Sequence, residues 1–233
     1  MNELKTSIEQ LYRVFANYPL AQVVEGCSCC VEVKDHLALR TAPLRDLPAE
    51  NLTHYASHAL TTWGTEEDFK HFLPRILELV SAGAIMYDAE IIIGKLGYAN
   101  WLKWPEEEQL AVKGFLMSVW KELLMKETHP LEASDWICCV GIIGEDLQPY
   151  LELWVEARSK VAYGRLLEAV QDGWILQNAF WDDVTSGPQQ VRAWLEARET
   201  AGRLMEIYYE NEAADFAKTL AECIDALNAF QKG

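Results

Sequence analysis

The stretch TEEDFKHFLPRILELVS, residues 65–81, decides the fold class of this chain. Its apolar residues recur three and four positions apart, at Phe69, Phe72, Leu73, Ile76, Leu77 and Val80. That spacing places them on one face of an α-helix. Thr65 and Asp68 form a capping-box pattern, in which each side chain satisfies a backbone donor at the helix start. The stretch predicts a helix to about Ser81, kinked or divided at Pro74, because proline removes the backbone bond to Lys70.

The same spacing recurs along the chain, whereas the alternation typical of strands is nearly absent. Further helices are predicted near residues 4–15, 31–40, 48–63, 87–101, 105–126, 134–144, 147–157 and 159–172. The apolar run WICCVGII at 136–143 fits a buried strand or a central helix, and the helical segments on both sides favour the helix. Two long helices near the end of the chain predict a C-terminal helical hairpin over residues 188–231.

These segments predict a single all-α domain over residues 1–233 with about ten helices. The architecture expected is an irregular multi-helix bundle or a short HEAT-like array of stacked helix pairs. No repeat of the length that such arrays use keeps its register along the chain.

Composition narrows the range of functions. The chain has 233 residues and a formal net charge of -16, which repels phosphate backbones and anionic membrane surfaces and favours either a basic partner or simple solubility. The first residues lack the apolar core of a secretory signal, and no apolar run is long enough to cross a bilayer. The sequence therefore predicts a cytoplasmic protein that binds neither nucleic acid nor membrane.

Two blocks carry a resemblance: TTWGTEEDFKHFLPRILEL at 61–79 and AEIIIGKLGYANWLKWPEEE at 89–108. Together with the cysteine pair at 27 and 30, they resemble a group of acidic, all-helical bacterial proteins. The resemblance covers roughly residues 20–125 and implies a bacterial origin and a single fold. It implies no activity and no catalytic role for any residue.

The densest chemical signature is GCSCCVEVKDH at residues 26–36. Cys27 and Cys30 have the C-x-x-C spacing with which two thiolates bind one tetrahedral zinc ion. Cys29 or His36 could supply a third ligand, while a fourth must come from elsewhere in the chain. The candidate metal ligands are therefore Cys27, Cys29, Cys30 and His36, with zinc as the candidate cofactor.

Two other interpretations of the cysteines stay open. A redox pair would place Cys27 or Cys30 at the start of a short helix, whose dipole lowers the thiol pKa. A structural role would make the three cysteines small, partly buried residues in a loop that returns the first helix to the core. The incomplete ligand set favours the structural role.

A second set of residues could form a partner surface. His54 and His58 are one helical turn apart, on the side of their helix opposite its apolar face, and His71 faces outward on the next helix. A solvated polar face is the favoured interpretation of His54 and His58, whereas the face that carries His71 could be a binding surface as easily as a solvated one. Trp174 and Trp181 lie in the least regular segment, where aromatic residues mark either a ligand site or the covered edge of a core.

The sequence contains no nucleophile elbow, phosphate-binding loop or zinc-protease motif, which lowers the odds of an enzyme. The leading hypothesis is a protein-binding or regulatory module, such as an immunity-type protein or an adaptor, that recognises a basic partner. A metal-binding or thiol-redox protein centred on Cys27–Cys30 is the alternative. A small-molecule enzyme without a recognisable motif is the third hypothesis.

Overall fold

The computed structural model of the chain describes residues 3–171, 173–182 and 184–232, and of Trp174 only the backbone. Across these residues the regular structure is helical, with isolated bridges from Gly26 and Ala59 to Trp63 and no strand. The predicted all-α class is confirmed. The chain predicted as one domain divides into two compact units, Met1–Val119 (unit 1) and Trp120–Gly233 (unit 2).

Unit 1 is built around one central helix. Its helices are α1 (Glu3–Val14), α2 (Val33–Ala38), α3 (Ala49–His58), α4 (Glu66–Ser81), α5 (Ala89–Ile93), α6 (Lys95–Tyr98) and the first part of α7 (Glu106–Met125). Short 3-10 helices lie at Phe15–Asn17, Leu44–Asp46 and Trp101–Lys103. Helix α4 contacts α1, α3 and α5, because its apolar face carries more side chains than any one neighbour can cover.

The start of α4 confirms the predicted capping box. The Thr65 backbone N–H donates to Asp68 Oδ2 at 2.9 Å, and the Asp68 N–H donates to Thr65 Oγ1 at 3.3 Å. Pro74 does not divide the helix, which continues to Ser81 with the proline ring itself buried. Burial of the surrounding face outweighs the one backbone bond that proline removes.

The predicted helix over 87–101 is wrong in its length. The structure has two short helices there, α5 and α6, which meet at Gly94, and Asn100 then adopts a left-handed conformation with φ 50°. Glycine is the weakest helix former in this segment apart from proline, and the break falls on it.

Unit 2 contains the rest of α7 and seven further helices in the described residues. They are α8 (Ala133–Ile142), α9 (Gln148–Glu156), α10 (Lys160–Gln171), α11 (Trp174–Gln177), α12 (Ser186–Glu196), α13 (Arg198–Glu210) and α14 (Ala217–Phe230), with a 3-10 helix at Ala179–Trp181. The run at 136–143 is helical, as predicted. The core of unit 2 is aromatic: the Trp154 ring meets the Trp120 ring edge-on at 4.9 Å and stacks on the Trp194 ring at 6.2 Å.

The C-terminal helix pair is present, because α14 packs along α13 and also along α10. The first arm predicted for the hairpin is, however, two helices. Ala197 between α12 and α13 is extended, with φ -69° and ψ 124°. Apolar spacing runs through this break, so periodicity alone could not reveal it.

Candidate functional site

The three N-terminal cysteines lie on one loop of unit 1, residues 26–30, here called the thiol loop. The Cys27 N–H donates to the Thr62 carbonyl at 2.8 Å, and the Gly64 N–H donates to the Glu25 carbonyl at 2.7 Å. These bonds attach the loop to the segment between α3 and α4. A Cβ on Gly26 would lie 2.9 Å from Val31 Cγ2 and 3.0 Å from Trp63 Cδ1. Only glycine allows the loop to lie this close to the tryptophan.

The loop turns back so that its three sulfur atoms converge. The N–H groups of Cys30 and Val31 both donate to the Cys27 carbonyl, at 2.9 and 3.0 Å. The Sγ atoms of Cys27 and Cys29 are 2.9 Å apart, and those of Cys29 and Cys30 are 3.5 Å apart. All three sulfurs lie within 4.8 Å of one another.

The partial burial predicted for these cysteines is wrong for two of them. Cys27 and Cys29 are exposed, and Cys30 is half-buried. Side chains that fill a loop interior would be covered by neighbours. The other cysteines do fit a packing role, since Cys138, Cys139 and Cys223 are buried in unit 2.

The thiols differ in acidity. The Cys29 thiol, the backbone N–H of Cys29 and the Cys30 thiol stabilise the Cys27 thiolate and lower the pKa of Cys27. Its interaction with Cys27 raises the pKa of Cys29 to about 11. The predicted cause, a helix dipole, is wrong, because α2 begins only at Val33, six residues after Cys27.

His36 does not join the three sulfurs. Among the described residues, the group of metal-ligand atoms within 4.8 Å of one another consists of the three thiols alone. The His36 ring instead meets Trp63 edge-on at 5.5 Å. The sequence analysis counted His36 among the candidate ligands, but the structure places its ring against Trp63 and outside the group of three sulfurs.

His54 and His58 are half-buried, so the fully solvated face predicted for them is wrong. Helix α2 covers this side of α3: Asp35 Oδ1 lies 3.4 Å from His54 Nδ1, and the His54 ring also meets Trp63 at 5.5 Å. The His58 ring lies 4.5 Å from that of His54. The rings of His36 and His54 thus both contact the Trp63 ring, and the His58 ring packs against His54.

The remaining predicted surface residues are distributed differently. His71 is half-buried, and its Nδ1 lies 2.7 Å from the Tyr18 carbonyl. Trp181 is buried and its Nε1 donates to the Ile175 carbonyl at 2.9 Å, so a partner surface through Trp181 is wrong. The side chain of Trp174 lies outside the described residues.

A cavity of about 480 Å³ opens beside Cys27. The segment Leu60–Thr65 forms most of its lining, and Glu25 and Gly26 complete it. Next to this segment lies Lys95, which sequence reasoning missed: it is 5% exposed, and its burial lowers its pKa. The available signal was a lysine between Ile93 and Leu96, in a run whose other residues are apolar.

Unit 2 has a second cavity of about 480 Å³ near the start of α10. It mixes acids and bases, among them His129, Arg165 and Glu168. Burial lowers the pKa of His129, whose Nδ1 accepts the Leu131 N–H at 3.1 Å. Arg165 donates to the Lys126 carbonyl and lies 3.8 Å from Glu132, so its charge is already partly compensated.

No protein family, curated protein or solved structure matches the chain. In the part of the chain that the structure describes, no helix has both the length and the apolar character needed to cross a membrane. The chemistry of the site therefore has to be argued from its own residues.

Proposed function

We propose that the thiol loop binds a thiophilic metal ion, with Cys27, Cys29 and Cys30 as its ligands. The observation that supports this most directly is the convergence of three sulfur atoms within 4.8 Å on one exposed loop. Thiolates are the ligands that Zn²⁺ and Cu⁺ prefer in proteins. A chain that needed cysteines only for packing would gain nothing by exposing them.

The spacing of the sulfurs fits such an ion. Metal–sulfur bonds of about 2.3 Å in a tetrahedral site hold neighbouring sulfurs about 3.8 Å apart. The separations of 2.9 and 3.5 Å therefore need only small rotations of the cysteine side chains. The backbone N–H of Cys29 that stabilises the Cys27 thiolate would equally support a metal-bound sulfur.

Three thiolates leave one tetrahedral position for an external ligand, since His36 lies outside the ligand group. A two-thiol redox pair accounts for Cys27 and one partner, but not for the third sulfur at the same point. The metal function explains all three. It also agrees with the attachment of the loop backbone at Glu25 and Cys27, which limits the movement of the loop before an ion arrives.

The test is metal uptake by the full chain, purified under reducing conditions without chelator. Zn²⁺ and Cu⁺ are each titrated against a chromophoric competitor, and bound metal is measured by elemental analysis. We expect stoichiometric binding, and a Cys27→Ser, Cys29→Ser or Cys30→Ser change should weaken it by more than the roughly 10–100-fold that loss of an outer-shell partner costs.

His36→Asn is the matched control, because His36 is near the loop but outside the ligand group. This variant should bind metal as the natural chain does. The proposal fails if neither ion binds stoichiometrically, or if the variant with all three cysteines replaced by serine takes up as much metal as the natural chain.

We also propose that the chain recognises a protein partner, as its charge of -16 suggests. A specific observation favours α2 as the contact: Val33 is 77% exposed and Leu37 is 63% exposed, one turn apart on the helix that follows the thiol loop. A Val33→Ser/Leu37→Ser variant should lose a partner that co-purifies with the natural chain and dissociates in high salt. Retention of that partner by the variant would exclude α2 as the contact.

A further inference from the structure

The cavity beside Cys27 contains polar groups that the described residues do not satisfy. Trp63 Nε1 and Thr62 Oγ1 are buried and have no hydrogen-bond partner. Both residues line the cavity, and Trp63 is 2% exposed. Buried donors without partners are rare in folded proteins and cost free energy, so the residues behind the lining of this cavity are incompletely hydrogen-bonded.

Lys95 adds a positive charge next to the same cavity. Its Nζ donates to Thr61 Oγ1 at 3.3 Å, while the Thr61 hydroxyl donates to the His58 carbonyl at 2.9 Å. The Tyr98 ring lies 5.3 Å from Nζ, and among the described residues no carboxylate is within ion-pair distance of it. Burying an ammonium group without an anion is costly.

A second buried lysine in unit 1 shows what compensation normally looks like. Lys70 Nζ lies 2.9 Å from Glu66 Oε1 and 3.0 Å from Glu108 Oε2. The chain has 36 acidic residues against 20 basic ones, so acids to pair with Lys95 are plentiful. The structure nevertheless leaves Lys95 without one, so within the described part of the chain its only hydrogen bond to a side chain is the one to Thr61.

The thiol and the ammonium group are held by consecutive residues. The Thr62 carbonyl accepts the Cys27 N–H, and the Thr61 hydroxyl accepts from Lys95. Thr61, Thr62 and Cys27 all line the cavity. A ligand that fills it therefore contacts Cys27 and lies one residue, Thr61, away from Lys95, while Glu25 is the acidic residue of the lining.

We propose that this cavity binds a small thiol or disulfide that carries a carboxylate, with its sulfur at Cys27 and its carboxylate towards Lys95. With a disulfide RSSR, the Cys27 thiolate attacks one sulfur: the Cys27–S–SR bond forms, the S–S bond of the ligand breaks, and RS⁻ leaves. No other oxidant is required.

This inference does not rest on the proposed metal site, and its test uses the metal-free, reduced full chain. Dithiodipropionate, which is anionic, and hydroxyethyl disulfide, which is neutral, react with the protein in parallel. The loss of free Cys27 is followed by acid quench, alkylation and peptide mass spectrometry. Each rate is divided by the rate of the same disulfide with N-acetylcysteine amide, which removes the intrinsic reactivity of the reagent.

We expect the normalised rate for the anionic disulfide to exceed that for the neutral one by roughly tenfold, because the uncompensated charge of Lys95 attracts the carboxylate. Lys95→Met should abolish this preference. Lys34→Met is the matched control: it removes the same charge from an exposed side chain near the loop and should change the preference by less than about twofold.

The net charge of -16 by itself repels an anionic reagent and would make the anionic disulfide react more slowly than the neutral one. A faster reaction of the anionic disulfide with the natural chain therefore already distinguishes a local positive charge from the overall charge. A normalised rate that is lower for the anionic disulfide than for the neutral one overturns the proposal, even if Lys95→Met does not fold. An unchanged preference in a folded Lys95→Met variant, verified by circular dichroism, overturns it as well.

Discussion

The buried ion pair between Lys70 and Glu108 is expected to be essential for the stability of unit 1. The two side chains are 7% and 9% exposed, and Glu108 Oε2 lies 3.0 Å from Lys70 Nζ. Glu108 also accepts a hydrogen bond from the Tyr18 hydroxyl at 2.6 Å, and Nζ lies 4.4 Å from the Trp104 ring centroid. The pair is thus enclosed by aromatic rings that offer little solvation of their own.

Glu108→Gln removes the charge with little change of shape. At 3.0 Å and an effective dielectric constant of about 20, the lost attraction is about 5 kcal/mol, and removal of one partner from a buried pair typically costs about 3–5 kcal/mol. Glu66 stays 2.9 Å from Nζ but is half-exposed, so it offsets only part of the loss. We expect the free energy of unfolding to fall by about 2–3 kcal/mol.

The assay is equilibrium unfolding of the full chain in urea, followed by tryptophan fluorescence and circular dichroism, with ion-pair coupling obtained from a double-mutant cycle. Lys70→Met/Glu108→Leu, which replaces both charges by apolar groups, should lie within about 1–2 kcal/mol of the natural chain.

The Arg158–Glu210 pair provides the control: its distance is also 3.0 Å, but both side chains are exposed. Glu210→Gln should cost less than about 1 kcal/mol. If Glu108→Gln costs no more than Glu210→Gln, burial does not strengthen this pair and the reasoning is refuted.

Three further predictions concern backbone strain and thiol acidity. Gly64 has φ +80°, and a Cβ there would lie 3.0 Å from a tyrosine hydroxyl, so Gly64→Ala should lower the unfolding free energy by about 1–2 kcal/mol. Gly114 lies in open space on α7, so Gly114→Ala should raise the unfolding free energy by about 0.5–1 kcal/mol in the same urea titration, and equal effects of the two changes would contradict this. With iodoacetamide near neutral pH, Cys27 should be alkylated before Cys29 in a peptide-resolved time course, because the pKa of Cys27 is lowered and that of Cys29 is raised to about 11. The reverse order would contradict this difference in acidity between the two thiols. Burial raises the pKa of Cys223 from 9.0 to about 12, so the contribution of its neutral thiol to stability is complete below pH 9 and is lost as the pH rises towards 12. Cys223→Ala should therefore make the fall of stability between these pH values shallower by up to about 1.4 kcal/mol per pH unit, and an unchanged slope would contradict this.

Most helices could be predicted because helix formation is local. The apolar face of α4 and the Thr65–Asp68 capping box both depend on residues within one or two turns of each other, and both are confirmed. The breaks at Gly94 and Ala197 could not be predicted with the same confidence. Apolar spacing continues across both, and low helix propensity accounts for the break at Gly94 but not for the one at Ala197.

The candidate site, like the fold, has some features that depend on neighbouring residues and others that depend on tertiary packing. The cluster of three cysteines is visible in four consecutive positions of the sequence, and their convergence follows from a short loop. Whether the cysteines are exposed, and whether His36 joins them, depends on how α2 packs over α3 and Trp63. Neither question has a local answer.

The acidic character of the chain, its helical periodicity and the grouping of three of its six cysteines at residues 27–30 could all be read from the sequence alone. Only the tertiary structure brought Lys95 to Thr61, 34 residues earlier in the chain, and Cys27 to Thr62. The physical reason is that charge and periodicity are properties of neighbouring residues. A cavity, an unpaired buried donor and an uncompensated ammonium group arise only when distant segments exclude water together.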